Sequence, residues 1–294
     1  MKQLLILSGK GGTGKTTVSS AFIELSKCQA FADCDVDAPN LHFVVTQMPE
    51  SEKTDYYGFQ KAVIDESKCI KCGLCEKTCR FDAIKDNMVG LYECEGCSVC
   101  AEICPVQAIT MTDHASGSMM LYQNKDTVFS TAQLNMGSGA PGKLVAEVKK
   151  RLTNAATTAK MAIIDGSPGI GCPVIASISG VDMVLIVAEP TISGIHDMKR
   201  IIDTAKHFGV SCAVCINKFD VNEDNTKEIE RYCNNLKIPV IGRIPFDKTV
   251  IGAVNKCQSI ACYPDSPAGK AITLIWDNLY YNYLKGGGGN AGTN

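Results

Sequence analysis

Gly9-Lys10-Gly11-Gly12-Thr13-Gly14-Lys15-Thr16-Thr17, residues 9–17, fit the phosphate-loop pattern G-x-x-x-x-G-K-S/T. Before the loop, Gln3-Leu4-Leu5-Ile6-Leu7 is an apolar run long enough for one buried strand. After it, Val18 to Lys27 reads as a helix. Strand, glycine loop and helix together are the context in which this pattern holds phosphate. Glycines let the backbone curl until several N–H groups face one anion, and the helix N-terminus adds partial positive charge. Gly11, Gly12, Thr13, Gly14 and Thr17 are therefore expected to cradle the phosphates of ATP. Lys15 is expected to reach the β- and γ-phosphates, and Thr16 to hold Mg²⁺.

The chain of 294 residues suits one large or two smaller domains with ample core. Hydrophobic content of 45% and charged content of 20% are those of a globular protein. A net charge of −2 gives no attraction to nucleic acid or to an anionic membrane, so neither is expected as a partner. No apolar run reaches the ~18 residues of a membrane span, and the N-terminus enters a strand without a signal-peptide pattern. The expected location is cytoplasmic. Sixteen cysteines in a reducing compartment point to metal rather than disulfides, and eight of them fall between residues 69 and 104.

Those eight form Cys69-x-x-Cys72-x-x-Cys75-x-x-x-Cys79 and Cys94-x-x-Cys97-x-x-Cys100-x-x-x-Cys104-Pro105. Each cysteine recurs 25 residues later, as do Ala83 and Ile84 in Ala108 and Ile109. This internal duplication has the spacing of a bacterial ferredoxin with two 4Fe–4S clusters, whose fourth ligands are exchanged between halves. Cys69, Cys72, Cys75 and Cys104 would hold one cluster. Cys94, Cys97, Cys100 and Cys79 would hold the other. Zinc prefers paired C-x-x-C knuckles, which tandem triplets do not supply. One departure is Arg80, which stands where the pattern asks for proline and brings a positive charge beside the second cluster.

Lys10, directly after the first glycine, makes the loop resemble the deviant Walker A of the ParA/MinD/nitrogenase-iron-protein superfamily. The resemblance implies that Lys10 crosses a dimer interface to the nucleotide of the other subunit. Asp33-Cys34-Asp35-Val36-Asp37 resembles switch I, which makes Asp35 the residue that orients or deprotonates the attacking water. Asp33 and Asp37 are then lesser contacts to Mg²⁺-bound water. Lys160 to Asp165 is a buried strand, and Asp165-Gly166-Ser167-Pro168-Gly169 resembles Walker B with switch II. Asp165 would hold Mg²⁺ through water. Asn217 resembles the adenine-reading asparagine, with apolar contact from Pro245 and Phe246. Cys172 lies seven residues after Asp165, the offset of a cluster ligand in the nitrogenase iron protein. It is either a ligand of a third, bridging cluster at a dimer interface or, the plainer reading, a small buried cysteine. Ser193 is the expected cap of a helix from Ile195 to His207.

The expected fold is α/β, a mostly parallel sheet with helices on both faces, carrying an inserted α+β ferredoxin-like unit. Residues 1–59 and 114–285 would form the ATPase, 60–113 the insertion, and 286–294 a flexible glycine-rich tail. The composite resembles MinD-like ATPases with an inserted ferredoxin domain. That implies an ATP-gated dimer, with itself or with a paralogue, passing electrons to a redox partner. The alternatives are a carrier that hands on iron–sulfur clusters to an accepting protein, and a positioning ATPase whose clusters sense redox state.

Overall fold

The computed structural model describes residues 1–45 and 50–285. The tail at 286–294 lies outside them. β1 (Lys2–Leu7), α1 (Lys15–Ser26) and β2 (Ala30–Asp33) open the chain. β3 (Glu52–Tyr57) follows, then a small unit of β4 (Lys61–Ile64), α2 (Leu74–Thr78), β5 (Ile84–Lys85), β6 (Met88–Val89), α3 (Val99–Glu102) and β7 (Ile109–Thr112). β8 (Ala115–Gln123), β9 (Val128–Leu134), α4 (Pro141–Ala155), β10 (Met161–Asp165) and α5 (Cys172–Ile178) return to the main body. β11 (Met183–Ala188), α6 (Ile192–His207), β12 (Ser211–Asn217), α7 (Glu223–Asn235), β13 (Val240–Ile244), α8 (Lys248–Asn255) and α9 (Pro267–Leu279) complete it.

One nine-stranded sheet runs β13-β12-β11-β1-β10-β2-β9-β8-β3. It is parallel from β13 to β9, while β8 and β3 are antiparallel additions at one edge. Leu4 to Leu7 are fully buried, because helices cover both faces of β1. This is why the run is continuously apolar rather than alternating. One core lies beneath α4 to α7, with Leu144, Val148, Ile195 and Ile202. The other lies beneath α1, α8 and α9, with Phe22, Ile272 and Trp276. Among the described residues, no helix is long and apolar enough to cross a membrane.

The small unit leaves the body between β3 and β8, which are themselves paired, with Tyr57 opposite Ala115. Its two ends are thus held side by side by a hairpin, so the insertion adds little loop-closure cost to the body. The 25-residue repeat is written into its backbone. Positive φ occurs at Lys71, Gly73 and Asp82, and again at Gly96, Ser98 and Gln107. Pairing is exchanged between the halves, with β4 on β7 and β5 on β6. Ile64 faces Ile109 and Ile84 faces Val89, the two registers being related by the same offset.

Three local expectations change. Residues 52–57, whose polar sequence suggests no element, form an edge strand with only Tyr56 buried. α6 begins at Ile192, and its cap is Thr191 rather than Ser193: Thr191 Oγ1 accepts from the Gly194 N–H at 3.0 Å. The first helix starts at Lys15, inside the phosphate loop.

Candidate functional site

A cavity of about 590 Å³ opens at the carboxyl ends of the central strands, where β1 lies between β10 and β11. That is the edge at which open α/β sheets bind ligands. Gly11, Gly12, Gly14, Lys15, Thr16 and Thr17 line one end of it. A larger hollow of about 810 Å³ lies at the opposite edge beside Lys2 and Trp276, away from the glycine loop, and volume alone does not make it a site. Glycine is required at position 14 on two counts. Its φ is +92°, and a Cβ there would stand 2.4 Å from Asn217 Nδ2. Position 9 is equally closed, since a Cβ would meet that of Asp197 at 2.1 Å.

Asp165 ends β10 with no exposed surface and gathers three partners. Thr16 Oγ1 donates to it at 2.7 Å, Ser19 Oγ at 2.7 Å, and Lys15 Nζ lies 2.8 Å away. Lys15 Nζ is buried and has no hydrogen bond of good geometry. Burial opposes its charge, but Asp165, Asp33 and Asp35 outweigh that and raise its pKa. A buried ammonium with donors to spare beside a glycine cradle suits a phosphate. Asp35 Oδ2 is 4.0 Å from the same Nζ, and burial pushes the Asp35 carboxyl up. Asp37 also lines the cavity.

Asp33 has a different task from a water contact. Its carboxylate accepts the backbone N–H groups of Asp35, Asn40 and Leu41 at 3.0, 2.9 and 2.9 Å, and so folds the 34–41 loop. Burial and the charge of Asp165 push it up to about 7. The 165–171 segment is tied to β1. The Gly166 N–H donates to Ile6 O and the Gly169 N–H to Ser8 O, while Ser167 Oγ donates to Cys34 O. The Gly169 N–H is therefore committed to Ser8.

Lys10 Nζ lies 3.2 Å from Glu189 Oε2, and Lys218 Nζ lies 2.9 Å from Glu189 Oε1. Burial works against this carboxylate, but the two lysines outweigh it and hold Glu189 below its ordinary range. The pairing of Glu189 with Lys10 spans 179 residues, and no local pattern in the sequence announces it. Asn217 Nδ2 donates to Thr13 O at 2.7 Å, and its Oδ1 accepts from the Lys218 N–H. Pro245 and Phe246 do not line the cavity, and the Phe246 N–H is held by Asp220. The apolar end is built instead from Phe43, Val44, Val250 and Val254, with Gln258 beside them. Val250 and Val254 stand one turn apart on α8, a spacing that marks a shared face but not its use.

The eight clustered cysteines divide between two hollows. Cys69, Cys72, Cys75 and Cys104 line one of about 20 Å³, walled by the exposed Ile70, Leu74 and Val106. Cys79, Cys94, Cys97 and Cys100 line the other, of about 200 Å³. Each set joins three thiols of one repeat to one of the other. Backbone N–H groups point at the two exchanged sulfurs, Ala83 to Cys79 at 3.4 Å and Ala108 to Cys104 at 3.3 Å. Among the described residues, no three Cys, His, Asp or Glu side chains converge on one point as a single-ion site would require. Cys172 is exposed at the start of α5, not buried as the plainer reading expected.

The family model for the CobQ/CobB/MinD/ParA nucleotide binding domain matches residues 4–260. An uncharacterized protein of Methanocaldococcus jannaschii, MJ0578, is 31% identical over 283 residues, covering 94% of this chain and 96% of that protein. Pyruvate synthase subunit PorD of Methanothermobacter marburgensis is 40% identical over 60 residues, covering 20% of this chain and 74% of that subunit. Among solved structures, the septum site-determining protein MinD of Pyrococcus horikoshii, complexed with Mg-ADP, superposes with a TM-score of 0.59. It is 18% identical and covers 97% of each chain.

Proposed function

The chain belongs to the CobQ/CobB/MinD/ParA nucleotide-binding family, and on that premise we propose an Mg²⁺-dependent ATPase whose nucleotide-gated dimer couples ATP turnover to electron transfer. The observation that carries this reading is the four-and-four division of the eight clustered thiols, in the same chain as a complete phosphate loop. Thiols of alternate repeats sharing one hollow are the donor set of a two-cluster ferredoxin. The backbone N–H groups aimed at Cys79 and Cys104 suit anionic sulfur. The 60-residue match to PorD has the length of such a unit and supports the same reading. Two 4Fe–4S clusters would supply one-electron storage.

In this reading Lys15 and the glycine backbone hold the phosphates, and Thr16 and Asp165 hold Mg²⁺. Asp35 has a carboxyl raised by burial and faces the same cavity, so it is placed to take a proton from the attacking water. Lys10 leaves Glu189 and reaches the nucleotide of the other subunit. Gly169 leaves Ser8 and turns its N–H to the γ-phosphate. Hydrolysis reverses both movements.

The test is anaerobic. The reconstituted chain is expected to hold iron and sulfide and to hydrolyse ATP, and Lys15→Met is expected to abolish hydrolysis while keeping the metal. Dithionite-reduced protein should be reoxidised by a redox partner faster with ATP than without it. A chain that takes up no iron, or whose reoxidation and oligomer size ignore nucleotide, refutes the proposal. Transfer of iron to an apo-ferredoxin would favour cluster delivery instead.

A further inference from the structure

One packed route joins the nucleotide loop to the cysteine-rich unit. The segment that follows Asp165 ends at Cys172, the first residue of α5. Gly142, in the first turn of α4, lies against it: a Cβ at Gly142 would sit 3.1 Å from the Cys172 carbonyl oxygen and 3.3 Å from the Cys172 Cβ. Further along α4, the buried Lys149 turns to the other end of α5. Its Nζ donates to the carbonyls of Ala176, Ser177 and Ser179 at 3.3, 2.7 and 2.6 Å. These are carbonyls that a helix C-terminus leaves without backbone partners, and a cation there also meets the negative end of the helix dipole. α4 therefore grips α5 at both ends.

The loop entering α4 rests on the cysteine-rich unit. A Cβ at Gly137 would stand 2.8 Å from the Tyr92 ring, and one at Gly139 would stand 3.4 Å from Glu95 Oε2 and 3.9 Å from the Phe59 ring. Tyr92 and Glu95 flank Cys94, a wall of the cysteine hollow of about 200 Å³. Close-packed elements shift as bodies rather than deforming smoothly. A movement of the 165–171 segment that carries Cys172 must then carry α5, α4 and the 135–140 loop with it.

We propose that α4 is a strut relaying the state of the switch loop to the second cysteine hollow, and that Lys149 is the positioning residue that makes α4 and α5 move as one. This rests on the gating described above and adds its mechanical path. Hydrogen exchange of the full chain, with and without a slowly hydrolysed ATP analogue and Mg²⁺, reads it without reference to activity. Nucleotide is expected to change exchange at 165–178 and at 90–97. Lys149→Met should keep the first response and lose the second, and Lys149→Arg should restore both. Tyr92→Ala alters only an exposed contact, so it tests the path even if the Lys149→Met chain does not fold; it should lose the response at 90–97 alone. Response at 165–178 without response at 90–97 in the unmodified chain overturns the strut and leaves the gating standing. So does an undiminished response at 90–97 in both Lys149→Met and Tyr92→Ala. Indifference of 165–178 to nucleotide overturns the gating and the strut together.

Discussion

Glu189→Gln is expected to strengthen ATP-dependent self-association. Glu189 holds Lys10 at 3.2 Å, within its own subunit. The bare attraction at that distance is about 5 kcal/mol for an effective dielectric near 20. The Lys10 side chain is 38% exposed, and solvent screening and side-chain entropy reduce such a pair to about 1 kcal/mol. A dimer whose two Lys10 side chains cross must break two such pairs. Neutralising Glu189 therefore returns about 2 kcal/mol, or roughly thirty-fold in the dimer dissociation constant. Sedimentation in saturating Mg-ATP measures it, in an Asp35→Asn background where turnover is slowed. Lys218 also loses its partner, so the control is a double-mutant cycle with Lys10→Ala. The reasoning fails if Glu189→Gln leaves the constant unchanged or weakens association. It fails equally if the gain persists when Lys10 is absent.

Gly14→Ala forces a side chain into a φ of +92° and onto Asn217 Nδ2; strain of this kind costs about 1–3 kcal/mol, so a loss of nucleotide affinity between roughly fivefold and roughly 150-fold is expected by calorimetry. Affinity within twofold of the unmodified chain would contradict it. If both thiols serve one cluster, as proposed, Cys104→Ser and Cys72→Ser should each remove about half of the iron, and the double variant no more than either. Cys72→Ser with Cys79→Ser should remove nearly all of it; equal iron in the two doubles would refute the exchanged ligand sets. Asp33, raised from 3.8 to about 7, keeps in the folded chain a proton that the unfolded chain releases. The nucleotide-free chain should therefore lose stability as pH rises through that window, and Asp33→Asn should flatten the slope. A melting-temperature slope unchanged in that variant would exclude Asp33 as its source.

The residues legible in the sequence were those whose work is done by neighbours in the chain. Nine contiguous residues make the phosphate loop, because a tight turn and a helix N-terminus are local structures. The cysteine unit was legible for a related reason: its period of 25 survives in sequence, in positive φ and in strand register alike. The alternating charges of Glu52–Tyr57 hid a strand, since an edge strand needs to bury only one side chain.

What the chain order alone determined was the kind of chemistry: glycines and a lysine for phosphate, and eight thiols in a 25-residue repeat. Only the folded body decided which side chain waits on which. Glu189 meets Lys10 across 179 residues, and Lys149 reaches the carbonyls of α5 from a neighbouring helix. Val250 and Val254 reach the apolar end of the cavity from α8, far along the chain from the phosphate loop. The Glu189 and Lys149 pairings are selected by the need to satisfy a charge or a carbonyl where water is partly or wholly excluded, and that need has no fixed spacing along a chain.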